Sequence, residues 1–167
     1  FNREQLDVKI KQIFNVLNCD ALVERYLMGR EFSVGILENE QSRVLTAMPI
    51  EITAPKNNLG HRLLDFDVKR LDREKVTKVK NKTLHKKLSD LGKSAFAALG
   101  GRSFGRIDIK LCAKGLPHFV EASLMPGLSK GYFYRSCVIN LGMTYDDMIL
   151  LLCSNRINSS GEGKKTA

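Results

Sequence analysis

The sequence predicts an α+β fold, a mostly antiparallel sheet with packed helices. Three observations carry that expectation: apolar runs of strand length divided by turn residues, a long stretch of helical periodicity after them, and a hairpin pattern of alternating residues late in the chain. With 167 residues, 43% of them hydrophobic, the chain holds enough apolar material for one core and too little for two comfortable domains. Residues 1–157 are expected to form that unit. Residues 158–167, rich in Ser, Gly and Lys, have nothing to bury and read as a disordered tail.

From Glu4 to Leu17 the residues Leu6, Ile10, Ile13, Phe14 and Leu17 fall on one helical face, and Asn18 suits the helix end. Ala21 to Leu27 and Phe32 to Leu37 are short apolar runs that read as two strands joined through Gly29. Arg43 to Ile52 reads as a third strand, with Pro49 confined to an edge or an end because it has no N–H to pair. Thr53 to Leu64, with Pro55, Asn57, Asn58 and Gly60, has turn chemistry. The longest helix is expected from Lys82 to Leu99, where Leu84, Leu88, Leu91, Ala95, Phe96 and Leu99 recur at helical spacing before the stop at Gly100-Gly101. Ser103 to Leu111 and Leu116 to Ser123, divided by Ala113-Lys114-Gly115, form a β-hairpin pattern. A short helix near Phe133 to Leu141 and another from Thr144 to Ile157 follow, with Thr144, Asp146 and Asp147 as an N-terminal signal.

The formal charge of +9 is concentrated locally, in Lys69 to Lys93. That stretch contains no aromatic residue to stack on bases, which weighs against a single-strand nucleic-acid binder and leaves a solvated basic face or a polyphosphate-facing loop. No apolar run approaches the roughly 20 residues of a membrane span. Cys19, Cys112, Cys137 and Cys153 form no C-x-x-C pair and read as reduced core thiols, consistent with the cytoplasm. His61, His85 and His118 are single and read as surface residues. The opening Phe1-Asn2-Arg3-Glu4-Gln5 lacks an initiating Met and the order of a secretory signal, and reads as a cut.

Chemistry concentrates on the late hairpin. Residues two apart on a strand share a face, so Arg106 and Asp108 point together, as do Glu121 and Ser123. Paired with those segments opposite, one surface carries a cation, two carboxylates and a hydroxyl. Such a surface is either a Mg²⁺–phosphate site, since Mg²⁺ takes one or two carboxylates and lets phosphates and water complete its octahedron, or an exposed cluster of ion pairs. The Pro126-Gly127 turn just beyond can aim backbone N–H groups into the same place.

Phe104-Gly105-Arg106-Ile107-Asp108, then Val120-Glu121-Ala122-Ser123, then Pro126-Gly127 resembles the G-R-x-D...E-x-N-x-x-P-G signature of D-alanine–D-alanine ligases, members of the ATP-grasp superfamily. Leu141-Gly142-Met143-Thr144-Tyr145 is similar to that family's closing helix entry, and Val23 to Glu31 to the hinge between its two ATP-grasp halves. Asp65-Phe66-Asp67-Val68-Lys69 resembles its phosphate-covering loop.

The resemblance implies the carboxyl-terminal portion of an ATP-grasp fold, ATP and one or two Mg²⁺ ions as cofactors, and ligation of an amino acid such as D-alanine through an acyl phosphate, a peptidoglycan-building reaction. It implies that Glu24 accepts from the adenine amino group, that the backbone of Arg25, Tyr26 and Leu27 pairs with the ring edge, that Glu31 holds the ribose and that Lys69 contacts the phosphates. Asp108, Glu121 and Ser123 would hold metal, while Arg106 and the Gly127 N–H would stabilise an oxyanion.

This chain departs from the family pattern at three places: Ser123 stands for an Asn, Arg70 for a Tyr, and Lys130-Gly131-Tyr132-Phe133-Tyr134 for small hydroxyl residues, so that Lys130 or Arg135 would meet an acceptor carboxylate. The family's amino-terminal domain and Gly-rich, lysine-bearing hairpin have no counterpart here, so the chain is expected to need that partner portion for catalysis. A non-catalytic binding module and a basic nucleic-acid-binding domain are the alternatives, and self-association is left open.

Overall fold

The computed structural model describes residues 2–39, 42–57 and 60–161. Asn58 of the turn segment and residues 162–167 of the expected tail lie outside them. Five strands, β1 (Glu31–Glu38), β2 (Leu45–Thr53), β3 (Lys75–Lys78), β4 (Phe104–Leu111) and β5 (Pro117–Ser123), form one antiparallel sheet in the order β3-β2-β1-β4-β5. The helices are α1 (Arg3–Leu17), α2 (Phe66–Arg70), α3 (Lys82–Ala98), α4 (Tyr132–Leu141) and α5 (Tyr145–Gly161).

The sheet is built around β1, which is covered on both faces. Phe32, Val34 and Ile36 of β1 and Ile107, Ile109 and Leu111 of β4 face α3 and close with Leu88 and Phe96 into the main core. On the opposite face α4 and α5 pack over β1 and β2, through Leu37, Met48, Phe133, Cys137 and Met148. Gly35 permits that approach, since a Cβ there would lie 2.8 Å from the Ser136 Cβ. Pro49 sits in β2 opposite Val34 but beyond the reach of β3, whose pairing starts at Ile50. Its carbonyl accepts from Asn140 Nδ2 of α4 at 3.3 Å.

Caps fix the helix ends. Asn2 Oδ1 accepts from the Gln5 N–H at 2.9 Å and Gln5 Oε1 from the Asn2 N–H at 3.2 Å, a reciprocal box that starts α1. Asn18 closes the helix in the left-handed region at φ 49°. The helix forms where expected, yet none of its residues is buried. A second box joins Thr144 and Asp147 at the head of α5, where the Thr144 hydroxyl and then its N–H, both donating to Asp147 Oδ2, hold the Asp147 carboxyl below its ordinary range.

Four expectations about the elements need correction. Ala21 to Leu27 is not a strand: β2 and β4 already occupy both sides of β1, so this run finds no partner and Leu22 is 84% exposed. It turns into the sheet only at its end, where the Gly29 N–H donates to Leu111 O at 2.9 Å and the Leu111 N–H to Arg30 O at 2.9 Å. A Cβ on Gly29 would lie 2.4 Å from that Leu111 oxygen. The basic stretch from Lys69 to Lys93, expected as a solvated face or a polyphosphate-facing loop, also contains β3, whose four residues Lys75–Lys78 give too short an alternation to notice and are held by pairing with β2. The expected Asp65–Lys69 loop is the short helix α2, capped by Asp65 Oδ1 accepting from the Val68 N–H at 2.8 Å. At the far end α5 runs to Gly161, four residues into the segment expected to be a tail.

All four cysteines are free, but only Cys137 is a core thiol; Cys112 is half-buried and Cys19 and Cys153 are exposed. A hydrogen bond from His118 lowers the Cys112 thiol to about 7, whereas burial pushes Cys137 up to about 11. Because the thiolate is the nucleophile, iodoacetamide at pH 7.5 should alkylate Cys112 well before Cys137 in the native protein. Peptide mapping by mass spectrometry checks this, and equal labelling would contradict the packing of α4.

Candidate active site

Cross-strand register lays the polar face of the sheet out in three successive rungs. Glu31 of β1 faces Lys110 of β4; Ser33 faces Asp108, which faces Glu121 of β5; and Gly35 faces Arg106, which faces Ser123. Successive rungs are two residues apart along β4, so the row from Lys110 to Arg106 is about 13 Å long. Since α4 and α5 cover the β1–β2 side of this face, the β4–β5 side stays open.

The middle and last rungs are chemically one unit. Arg106 Nη2 lies 2.9 Å from Asp108 Oδ2 and 3.6 Å from Glu121 Oε1. Ser33 Oγ donates to the other Asp108 oxygen at 2.7 Å. The Arg106 and Asp108 side chains are 18% and 15% exposed, whereas that of Glu121 is 58% exposed, so one carboxylate is clamped and the other is open to water. Hydrogen bonding to Asp108 is the largest influence raising the Glu121 carboxyl above its ordinary range, with burial and the Asp108 charge adding; Arg106 and Lys69 act the other way. A β-bulge adjoins this pair: Asp108 faces Glu121 but Ile109 faces Phe119, leaving Val120 as the extra residue.

At the first rung Lys110 Nζ is 3.1 Å from Glu31 Oε2 and 4.9 Å from the centre of the Tyr26 ring, tying the 20–30 segment to the sheet. Tyr26 Oη donates to Arg62 O at 2.9 Å. Glu31, Lys110, Gly29, Arg30, Glu51 and Arg62 line a recess of about 240 Å³ there.

Beyond Arg106, at the opposite end of the row, a cleft of about 340 Å³ is lined by Lys69 of α2, Arg106, and Ser129 to Tyr132 and Arg135 at the head of α4. Tyr132 Oη donates to Glu74 Oε1 at 2.7 Å, and burial together with this carboxylate raises the phenol well above its ordinary range. Arg135 pairs with Asp72 and lies 3.9 Å from Glu74. Lys130 makes no ion pair among the described residues.

Of the residues singled out from the sequence, Arg106, Asp108, Glu121 and Ser123 share one surface. Lys69 reaches the same neighbourhood through its charge on Glu121, and Glu31 stands one rung away. Glu24 and Arg25 are exposed on the irregular segment and Leu27 is half-buried. Gly127 is exposed in the turn before α4, where the cleft wall is made by residues 129–132 instead. Ser33, Lys110, Glu74 and the commitment of Tyr132 and Arg135 to carboxylates were not anticipated. Ser33 and Lys110 were findable, because period-two alternation puts them on the faces of Glu31 and Asp108 respectively.

Comparison with known proteins places this geometry. The family model described as "D-ala D-ala ligase C-terminus" matches residues 1–154. The chain belongs to the D-Ala-D-Ala ligase family. An uncharacterized protein of Sinorhizobium fredii is 31% identical over 152 residues, which are 87% of this chain and 43% of that protein. The D-alanine–D-alanine ligase of Lacticaseibacillus casei is 24% identical over 166 residues, 99% of this chain and 44% of that enzyme. In structure, the D-alanine–D-alanine ligase of Bacillus anthracis complexed with ATP superposes with a TM-score of 0.71 at 15% identity, covering 98% of this chain and 50% of that one. The sheet and its packed helices are thus the ATP-grasp carboxyl-terminal fold of D-Ala-D-Ala ligases, and the chain spans about half the length of the relatives it matches.

Proposed function

We propose that this chain is the metal- and phosphate-holding half of an ATP-dependent carboxylate–amine ligase that works through an acyl phosphate in the cytoplasm. The convergence of Arg106, Asp108 and Glu121 on one open surface carries the reading. The donor set suits Mg²⁺. Asp108 and Glu121 face each other across β4 and β5, a pair suited to an ion that takes one or two carboxylates and fills its remaining positions with phosphate oxygens and water. The raised Glu121 carboxyl supports it too, because two carboxylates held together gain from a divalent cation between them.

In this reading Asp108 and Glu121 hold the metal, with the Ser123 hydroxyl as a weaker third donor, and the ion supplies charge neutralisation to the ATP phosphates. Glu31 holds the ribose from its recess, with Glu24 and the Arg25–Tyr26–Leu27 backbone at the adenine. Lys69 on α2 meets the phosphates. Arg106, with the Gly127 N–H, offers preorganised donors to the oxyanion; loss of one such donor costs about 3 kcal/mol of barrier. The cleft beyond Arg106 then receives the amine substrate. Tyr132 and Arg135 are already engaged with Glu74 and Asp72, so Lys130 is the cation left for an acceptor carboxylate.

The reading is tested by ATP consumption in the chain joined to the upstream half that its relatives possess, assayed with D-alanine and with other amino acids. Amino-acid-dependent release of ADP and phosphate is expected. Its absence with every amino acid tried would overturn the assignment.

A further inference from the structure

We propose that Ser33 is a positioning residue for the metal ligand Asp108. The inference rests on the ligase reading above and concerns a residue that belongs to no motif. Ser33 is completely buried, on a strand whose other fully buried side chains are apolar, and its hydroxyl donates to Asp108 Oδ1 at 2.7 Å. Arg106 holds Oδ2 from the far side at 2.9 Å. Two donors on opposite oxygens fix the plane of the carboxylate and still leave each oxygen a lone pair for a cation.

The rung geometry shows why this position must supply the hydrogen bond. Ser33 is the direct cross-strand neighbour of Asp108 on β1, whereas the neighbour on β5 is Glu121, which in the ionised form that binds a cation is a second acceptor with no proton to donate. Without Ser33, Asp108 would be held by Arg106 alone. That guanidinium also faces Glu121 at 3.6 Å, so the carboxylate would be free to follow it. Groups that orient a metal ligand in this way typically change metal affinity by about 10–100-fold when removed.

The fold provides its own control. Ser136 of α4 is also completely buried, and its hydroxyl has no hydrogen-bond partner among the described residues. Ser136→Ala therefore reports the cost of deleting a buried serine hydroxyl that orients nothing. The experiment measures Mn²⁺ uptake by electron paramagnetic resonance of the free ion, with Mn²⁺ alone as the probe. It uses the wild-type chain, Ser33→Ala, Ser33→Thr, Ser136→Ala and Asp108→Asn, with thermal melts to follow folding.

Ser33→Ala should weaken Mn²⁺ binding by about 10-fold or more. Ser33→Thr, which keeps the hydroxyl, should restore most of it, and Ser136→Ala should bind like wild type. Equal affinity in Ser33→Ala and wild type, or an equal loss in Ser136→Ala, would overturn the positioning role while leaving the metal site standing. Wild-type binding that is absent, or unchanged by Asp108→Asn, would instead overturn the metal reading, and the role of Ser33 with it.

Discussion

On the proposed metal site, Asp108→Asn is expected to lower ATP turnover by more than about 100-fold in the chain joined to a relative's upstream half, because loss of a direct ligand should exceed the roughly 10–100-fold effect of losing an outer partner. The fold should survive the change. Asn is isosteric, its remaining oxygen can still accept from Arg106, and its amide can donate to Ser33 once that hydroxyl rotates to accept. Melting temperature should therefore move by only a few degrees while turnover collapses. Steady-state ADP release beside a thermal melt checks both halves, and turnover within threefold of wild type would remove Asp108 from the metal site.

The largest effect on stability is expected at Phe96, in α3. Its ring is fully buried and lies against two glycines, Gly101 before β4 and Gly105 within it: a Cβ there would sit 2.4 or 2.6 Å from a ring carbon. Neither glycine carries a side chain that could refill the space. Phe96→Ala should cost about 3–5 kcal/mol, a large share of the roughly 5–15 kcal/mol that keeps a domain folded. Urea denaturation gives the value, and a loss below about 1 kcal/mol would show that α3 does not anchor the sheet as described. Gly105 precedes Arg106, so the same cavity lies beneath the rungs of Arg106 and Asp108.

The parts of this molecule that could be read in advance are those whose signal is local. The α3 periodicity and the late hairpin each contain their own pattern, and the hairpin register meets the condition left open in the sequence by bringing Asp108 opposite Glu121. The parts that could not be read depend on a partner elsewhere. Ala21 to Leu27 has the composition of a strand, but β4 takes the place beside β1 where it would have paired. β3 is a strand only because Ile50 to Thr53 lie beside it. In the site, the signature residues stood out by type and spacing. Glu74 did not, because a single glutamate among lysines reads as a solvated charge until Tyr132, distant in sequence, is found donating to it.

The irregularity at Val120 means that β5 has two parities. Counted from Glu121, alternate residues look toward the Arg106–Asp108 surface; counted from Phe119, the same alternation looks the other way, toward the rung of Ile109. A regular strand would have set a phenyl ring and a reactive carboxylate side by side. One surplus residue lets a greasy register and an ionic register share seven residues of chain, so grafting this hairpin onto another sheet would have to carry the irregularity along with the acidic side chains.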